Sequence, residues 1–415
     1  MQKKFILHSD FNGFFAAVEC KLHPEIANLP VAVVGDPEKR HGIVLAKNNL
    51  AKKFDITTGE TIWSALKKCP ELYLIQPHFD EYLNYSQQAF KLYNSHSPYV
   101  EPFGLDECWL DITAPDMNFE QARQYAENLR EEVKETIGIT VSIGVSFTKS
   151  FAKLASDLKK PDAVTVITDT NYKQIVWPLP CEDLLYVGKA TKAKLNSHGM
   201  FKIGDIANAP KELLVSMLGK AGNMLYNYAN GLDYSQVAPA ADSTVAKSIG
   251  NSTTLDHDLH SYDEVSNVFY ALADKVSGRL RKSFAKCTVV QISVKDTNLI
   301  TSDKQTKLSL STDITNEIAE AAISLYKAHY NPKIVPVRAL GIHTSGLVYA
   351  NEPYQIGFFD DSKKREKQAA VDLATDSLRE RFGYSILSRA SSIEHSSKED
   401  THCFLKHHEI DDEVK

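Results

Sequence analysis

The chain has 415 residues, a formal net charge of -6, 43% hydrophobic and 24% charged residues. That is an ordinary globular composition with length for two to four domains. No run approaches the roughly 20 apolar residues of a membrane span, and Phe5-Ile6-Leu7 is too short for the core of a signal peptide, so a soluble cytoplasmic protein without membrane contact is expected.

Phe5-Ile6-Leu7 reads as a short buried strand ending in the carboxylate of Asp10. Residues 14–22 have helical spacing, residues 29–35 and 42–46 read as strands, and residues 48–53 and 60–68 as helices. Residues 79–93 form a long amphipathic helix, with Tyr82, Tyr85, Ala89 and Leu92 three or four apart. Residues 100–113 read as a hairpin-like segment and residues 119–137 as a helix. Val141, Ile143 and Val145 alternate with small residues, the mark of a half-buried strand, and a helix over 150–158 stops at Lys159-Lys160-Pro161. This gives an α+β unit over residues 1–165.

Short helices with loops follow to about residue 231, one of them opened by Val187-Gly188. Ala238-Pro239-Ala240-Ala241-Asp242 reads as a linker. Beyond it, helices over 262–283 and 314–329 and strands around Val290, Ile292, Val294 and residues 335–345 fit a β-α-β-β-α-β module. Residues 366–382 read as a helix before a polar tail.

Charge and cysteines add little. Residues 243–345 carry 12 basic and 10 acidic residues, which allows DNA binding without demanding it. Cys20, Cys69, Cys108, Cys181, Cys287 and Cys403 contain no C-x-x-C pair, so reduced thiols are expected. The tail residues His395, His402, Cys403, His407 and His408 match no zinc spacing.

The chemistry lies in the carboxylates. Magnesium takes hard oxygen ligands from one or two carboxylates plus substrate phosphates, and the ends of adjacent strands deliver such groups rigidly. Asp10 ends one strand; Asp106 and Glu107 lie in a second strand-like segment. Neighbouring strand residues point to opposite faces, so both reach one metal pair only across a bend, for which Gly104 is suited. On spacing alone, a solvated turn at Asp106-Glu107 and a helix cap at Asp10 explain the pattern as well.

The flanking residues add to this. Ile-Leu-His-Ser-Asp-Phe-Asn-Gly-Phe-Phe-Ala-Ala-Val-Glu (6–19) and Glu-Pro-Phe-Gly-Leu-Asp-Glu-Cys-Trp-Leu-Asp-Ile-Thr (101–113) resemble the signature blocks of the Y-family translesion DNA polymerases, the group of the bacterial DNA polymerase IV (DinB) and UmuC types. Ile143-Gly144-Val145-Ser146, Phe151-Ala152-Lys153-Leu154-Ala155-Ser156-Asp157, Lys160-Pro161-Asp162 and Lys247-Ser248-Ile249-Gly250-Asn251-Ser252-Thr253-Thr254 agree in order and spacing. The resemblance covers about residues 5–345. It implies an α+β right-hand polymerase: a palm over 1–165 with small fingers inserted at about 18–77, a helical thumb with a helix-hairpin-helix over 166–237, and a ferredoxin-like, DNA-gripping little finger over 243–345. Residues 346–415 would form a C-terminal helix and tail.

The resemblance also implies roles. Asp10, Asp106 and Glu107, with the Phe11 carbonyl, would hold two Mg2+ ions, with Mn2+ as a substitute. Phe15 falls at the steric gate that excludes ribonucleotides. Lys160 matches the lysine that neutralises the triphosphate, with Lys159 beside it as a competitor. Asn49 and Lys52 stand where the family commonly has a tyrosine and an arginine on the triphosphate; lysine keeps the charge and loses the bidentate fork. Asn12 stands where many members have a second aspartate. Gly188 and Lys189 would meet DNA phosphates in the hairpin, where Tyr186 replaces the expected first glycine. Lys247, Arg279, Arg281, Lys282 and Lys286 would do so in the little finger. Gln355-Ile356-Gly357-Phe358-Phe359 resembles a sliding-clamp peptide.

The implied activity is error-prone, DNA-directed DNA synthesis from dNTPs on primer-template DNA by a monomer, acting in translesion synthesis, DNA repair and the SOS response. A catalytically silent DNA-binding relative is the alternative that Asn12 and Asn49 leave open. A nucleotidyl cyclase is disfavoured, since the chain lacks a Gly-Gly-Asp/Glu-Glu-Phe block.

Overall fold

In the computed structural model, which describes residues 3–36, 42–240, 246–349, 362–387 and 389, six consecutive buried residues form β1 (Ile6–Phe11). A strand buried on both faces reads as a continuous apolar run rather than an alternation, and Ile6 to Phe11 meets that description except at His8, Ser9 and Asp10. After α1 (Phe14–Leu22) comes a small region made of β2 (Val31–Val34), β3 (Val44–Lys47), α2 (Asn49–Lys52), α3 (Ile62–Lys68) and β4 (Tyr73–Ile75). Its three strands lie in the order β3-β2-β4. The chain returns through α4 (Phe79–His96), β5 (Val100–Pro102), β6 (Glu107–Asp111), α5 (Phe119–Ile137), β7 (Val141–Ser146), α6 (Lys149–Leu158) and β8 (Val164–Val166).

The main sheet has the order β5-β6-β1-β7-β8. β1 sits at its centre, antiparallel to β6 and β7, with Asp10 directly opposite Glu107. The helices α1, α4 and α5 cover one face through Phe14, Tyr82, Ala126 and Leu129. On the other face α6 lies against β7. A Cβ at Gly144 would come within 1.9 Å of the Ala152 carbonyl and 2.5 Å of the Ser156 amide, so only glycine lets this helix approach so closely.

The helices α7 (Tyr172–Val176), α8 (Lys189–Ser197), α9 (Ile203–Asn208), α10 (Lys211–Leu218) and α11 (Lys220–Ala229) follow. They share a core of Val176, Leu195, Ile206, Leu214 and Leu225, joined by Phe151 and Leu154 from α6. Residues 238–240 are not a free linker: Ala238 N–H donates to Glu101 at 2.9 Å, and Ala240 N–H to the Pro98 carbonyl at 3.0 Å.

The described residues up to 240 form one compact unit, and those from 246 onward a second. The second unit holds β9 (Ser248–Leu259), α12 (Tyr262–Lys282), β10 (Ala285–Asp296), β11 (Thr301–Thr312), α13 (Thr315–His329), β12 (Val337–Ser345) and β13 (Val348–Tyr349). This is the expected β-α-β-β-α-β order, with strands arranged β11-β10-β12-β9. Phe269, Leu272, Val276, Ile318 and Tyr326 pack the two helices on Val290, Ile292, Leu340 and Ile342. α14 (Ser362–Phe382) is fastened to this unit by ion pairs: Arg281 with Asp376 (2.6 Å) and Asp372 (3.3 Å), Arg365 with Glu317 (2.7 Å), and Arg379 with Asp274 (2.7 Å).

Candidate active site

Asp10 is the last residue but one of β1, and Glu107 opens β6 opposite it. Gly104, at φ +98°, turns the chain just before Asp106, so Asp106 and Glu107 escape strict alternation and both line the cleft that Asp10 lines. Phe11 N–H donates to the Asp106 carbonyl at 3.0 Å and holds the bend against β1. The cleft has a volume of about 360 Å3, and Phe11, Phe15, Lys47, Lys153, Asp157 and Lys160 also line it.

Two lysines reach the carboxylates. Lys153 lies 2.8 Å from Asp10, 2.5 Å from Glu107 and 3.4 Å from Asp157; Lys160 lies 2.9 Å from Asp10 and 2.8 Å from Asp157. Burial alone would lower the Lys153 pKa, but Asp10, Asp157 and Glu107 together raise it. Asp106 pairs with no cation among the described residues. Burial, then the like charges of Glu107 and Asp10, push its carboxyl up to about 6. A half-buried carboxylate with like-charged neighbours and no ion pair of its own is a natural ligand for a cation. The donor set is all hard oxygen, which suits Mg2+ or Mn2+, so these residues fit the implied ions.

Phe15 stacks on Tyr82 at 4.2 Å with planes 10° apart, and meets Phe79 edge-on at 5.9 Å. Its ring therefore has little freedom to leave the cleft floor. Lys160 enters the cleft while Lys159 stays exposed, which separates the two neighbours. Asn12 is committed elsewhere. Its amide donates to Ser142 at 2.9 Å, and its oxygen accepts from Thr140 and from the Asp162 amide at 3.0 and 2.8 Å. An aspartate lacks the donor that the Ser142 bond uses, so asparagine here ties β1 to β7 and to the loop after α6.

The family models agree with this geometry. The impB/mucB/samB family model matches residues 9–157, and its C-terminal domain model matches residues 246–358. The chain belongs to this family, that of the Y-family DNA polymerases. It is 46% identical over 382 residues to DNA polymerase IV of Acetivibrio thermocellus, covering 92% of this chain and 96% of that protein. It is 35% identical to DNA polymerase IV of Clostridium kluyveri over 393 residues, covering 93% and 98%. A solved Y-family DNA polymerase chimera shares the fold at a TM-score of 0.73 with 23% identity, over 83% of this chain and 99% of that one. The chain is therefore a DNA-directed DNA polymerase of the translesion class, with the right-hand α+β fold. No helix among the described residues is long and apolar enough to cross a membrane.

The structure redraws some of the polymerase's expected contacts. Asn49 and Lys52 are exposed on α2 and do not line the cleft; Lys47, one element earlier, does. Burial first, then Lys52, lowers the Lys47 pKa. Tyr186 adopts φ +71°, the left-handed conformation a glycine would take, so the hairpin turn before α8 persists without glycine, at some strain. Gly188 then caps α8 without a side chain, and both it and Lys189 are exposed.

In the second unit, Lys247 and Lys282 are exposed, while Arg279 donates to the Gly250 carbonyl at 2.9 Å. Arg281 has to be withdrawn from the phosphate-binding cluster. Its side chain is 8% exposed and its charge is matched by Asp372 and Asp376. Gln355, Phe358 and Phe359 lie outside the described residues.

Sequence reasoning missed Lys153 and Asp157 as parts of the site, although their i,i+4 spacing on α6, followed three residues later by Lys160, was a readable signal. It also missed His8. This residue is fully buried, and burial, then Lys153, holds its pKa down at about 3, so its ring is neutral.

Proposed function

We infer that Asp10, Asp106 and Glu107, with the Phe11 carbonyl, hold the divalent ions with which this polymerase adds dNTPs to a primer 3′ end. When bound, such ions lower the pKa of the 3′-hydroxyl and neutralise the leaving pyrophosphate. The observation that carries the reading is Asp106: a half-buried carboxylate lining the same cleft as Asp10 and Glu107, raised by their like charges and in no ion pair of its own among the described residues.

The chain's own residues do the rest by position. Lys153 balances the charge of Asp10 and Glu107, and Lys160, beside Asp10 in the cleft, neutralises the triphosphate. Lys47 and the more exposed Asn49 and Lys52 offer further donors to the phosphates. Phe15, braced by Tyr82, excludes a 2′-hydroxyl by contact. Phosphate-directed contacts at Gly188, Lys189, Lys247, Arg279 and Lys282 grip DNA without reading sequence. The same reading includes action as a cytoplasmic monomer, Mg2+ as the working ion, repair and SOS settings, and docking to the sliding clamp through residues 355–359.

Primer extension with MgCl2 and dNTPs tests the core of this. Wild type is expected to extend, and Asp106→Ala/Glu107→Ala to lose about a thousandfold or more in rate, the scale of removing the charge stabilisation on which phosphoryl transfer depends. Undiminished extension by the double variant would overturn the site. A wild type that binds primer-template DNA but extends with neither Mg2+ nor Mn2+ would favour the silent DNA-binding reading.

A further inference from the structure

Glu19 and His23 stand four residues apart at the end of α1, a spacing that sets two side chains on one face of a helix. His78 comes from the opposite direction, as the residue immediately before α4. The two helices share a core in which Phe14 meets Tyr82, and this packing brings His78 to Glu19. One ligand atom from each of the three residues lies within 4.8 Å of the other two. The two imidazole rings are 6.2 Å apart, centre to centre.

Glu19 is fully buried, and its one ion-pair partner among the described residues is the His78 imidazole. Its two oxygens are used differently. Oε1 accepts from the Tyr82 hydroxyl and from the His78 backbone N–H at 3.2 Å, with His78 Nδ1 3.1 Å away. Oε2 meets the same ring nitrogen at 3.0 Å. A carboxylate removed from water with no lysine or arginine to match it is costly, and a bound cation would offset that cost.

We propose that Glu19, His23 and His78 form a metal site for a divalent transition ion of the zinc class, outside the cleft of Asp10, Asp106 and Glu107, that ties the end of α1 to the start of α4. Zinc holds imidazole nitrogen at about 2.0–2.1 Å and carboxylate oxygen at about 2.0–2.2 Å, so two such ligands at a tetrahedral angle stand about 3.3 Å apart. His78 Nδ1 and Glu19 Oε2, at 3.0 Å, are close to that spacing already. His23 has the rest to close, about 1.5 Å at the outer limit of the cluster. Both histidine side chains are about half exposed, His23 at 42% and His78 at 53%, so they turn without disturbing the core and leave a fourth position to water. The donor set selects the metal: two imidazoles and a carboxylate suit zinc and its first-row neighbours, whereas magnesium takes oxygen. The bonds to Oε1 hold the carboxylate as outer contacts of a metal ligand do. Glu25, 3.4 Å from His23 Nδ1, adds negative charge beside the site. Tyr82, which donates to Glu19, also carries the stack on Phe15, so an ion here fastens the layer on which that ring rests.

The test uses the full chain carrying Asp106→Ala/Glu107→Ala, so that the cleft does not compete for metal and the outcome does not depend on how the cleft is read. Calorimetric titration with Zn2+ is expected to show a site whose affinity falls at least tenfold in His78→Ala and in His23→Ala, since loss of an outer contact alone typically costs 10–100-fold. Zn2+ is expected to raise the melting temperature of the parent and not that of His78→Ala. Both histidines are on the surface, so these variants are expected to fold as the parent does, which melting without metal verifies. Zinc affinity and stoichiometry unchanged in both variants overturns the proposal and leaves zinc uptake to other groups, such as His402, Cys403, His407 and His408 of the tail. Displacement of the zinc by millimolar Mg2+ overturns it as well.

Discussion

Asp106 carries its charge at a cost. Its carboxyl sits at about 6, above the ordinary aspartate value of 3.8, because of burial and then Glu107 and Asp10. The native state thus holds this proton more tightly than the unfolded chain does. The associated stability is fully present below the unfolded pKa and is lost as pH rises through about 6. The difference of about two pKa units corresponds to roughly 3 kcal/mol at neutral pH and above. In chelator at pH 7.5, Asp106→Asn is therefore expected to melt higher than wild type, and the gap to close below about pH 4. Thermal melts across that range check this, and a variant less stable than wild type at pH 7.5 would contradict the sign. Phe15 makes a second residue-scale prediction. Its ring is held by Tyr82 at 4.2 Å, so Phe15→Ala opens space where the sugar of an incoming nucleotide would lie. Ribonucleotide incorporation relative to dNTP is expected to rise by at least tenfold, the order of one lost steric contact of about 1–3 kcal/mol. Unchanged selectivity in competitive extension would remove the gate from Phe15. These residues were legible because their blocks are local: Asp10, Phe15, Asp106 and Glu107 each lie within a short stretch of distinctive neighbours. His8 and Lys47 were not, because what assigns them to the site is contact across the sheet or cleft.

At the scale of elements, local pattern carried the helices and the buried strands and failed where a strand is polar. β11 spans Thr301–Thr312 with a largely exposed face. Residues 301–307 are all polar and give no apolar alternation, Leu308 and Leu310 supply only one short step of it, and pairing with β10 makes the whole a strand. The same limit explains Arg281. Near the end of a basic helix it reads as a phosphate ligand, but its partners Asp372 and Asp376 lie some 90 residues later, one helical turn apart on α14. No local window contains both halves of that contact. Replacing Arg281 with Met leaves two carboxylates partly buried without their cation, a change that costs about 3–5 kcal/mol in buried pairs. The second unit is expected to melt earlier, while the salt dependence of DNA binding by folded protein stays as in wild type. Lys282→Ala is expected to do the reverse: little change in melting and a salt slope shallower by about one phosphate contact. A shallower slope with unchanged melting for Arg281→Met would return that arginine to the DNA surface.

For the whole molecule, a net charge of -6 is a poor start for a protein that must stay on a polyanion. Phosphate contacts are made at local basic sites, and each is weakened as salt rises. Affinity from such contacts alone is expected to be modest, and a tether raises it through effective concentration rather than new chemistry. The resemblance of Gln355-Ile356-Gly357-Phe358-Phe359 to a clamp peptide offers one. It lies in the connection between β13, which ends at Tyr349, and α14, which begins at Ser362. Both ends are fixed to the second unit: Tyr349 donates to the Ala246 carbonyl at 3.0 Å, and Arg365 pairs with Glu317. Phe358→Ala/Phe359→Ala is expected to reduce binding to the sliding clamp by at least tenfold, as loss of aromatic anchors does at small interfaces. The clamp should then no longer lengthen the products, while extension without clamp proceeds as in wild type. Surface-immobilised clamp and primer extension on clamp-loaded circular template measure the two effects. Equal clamp binding by variant and wild type would leave residues 355–359 as connection only, and would require the polymerase to stay on DNA through its phosphate contacts alone.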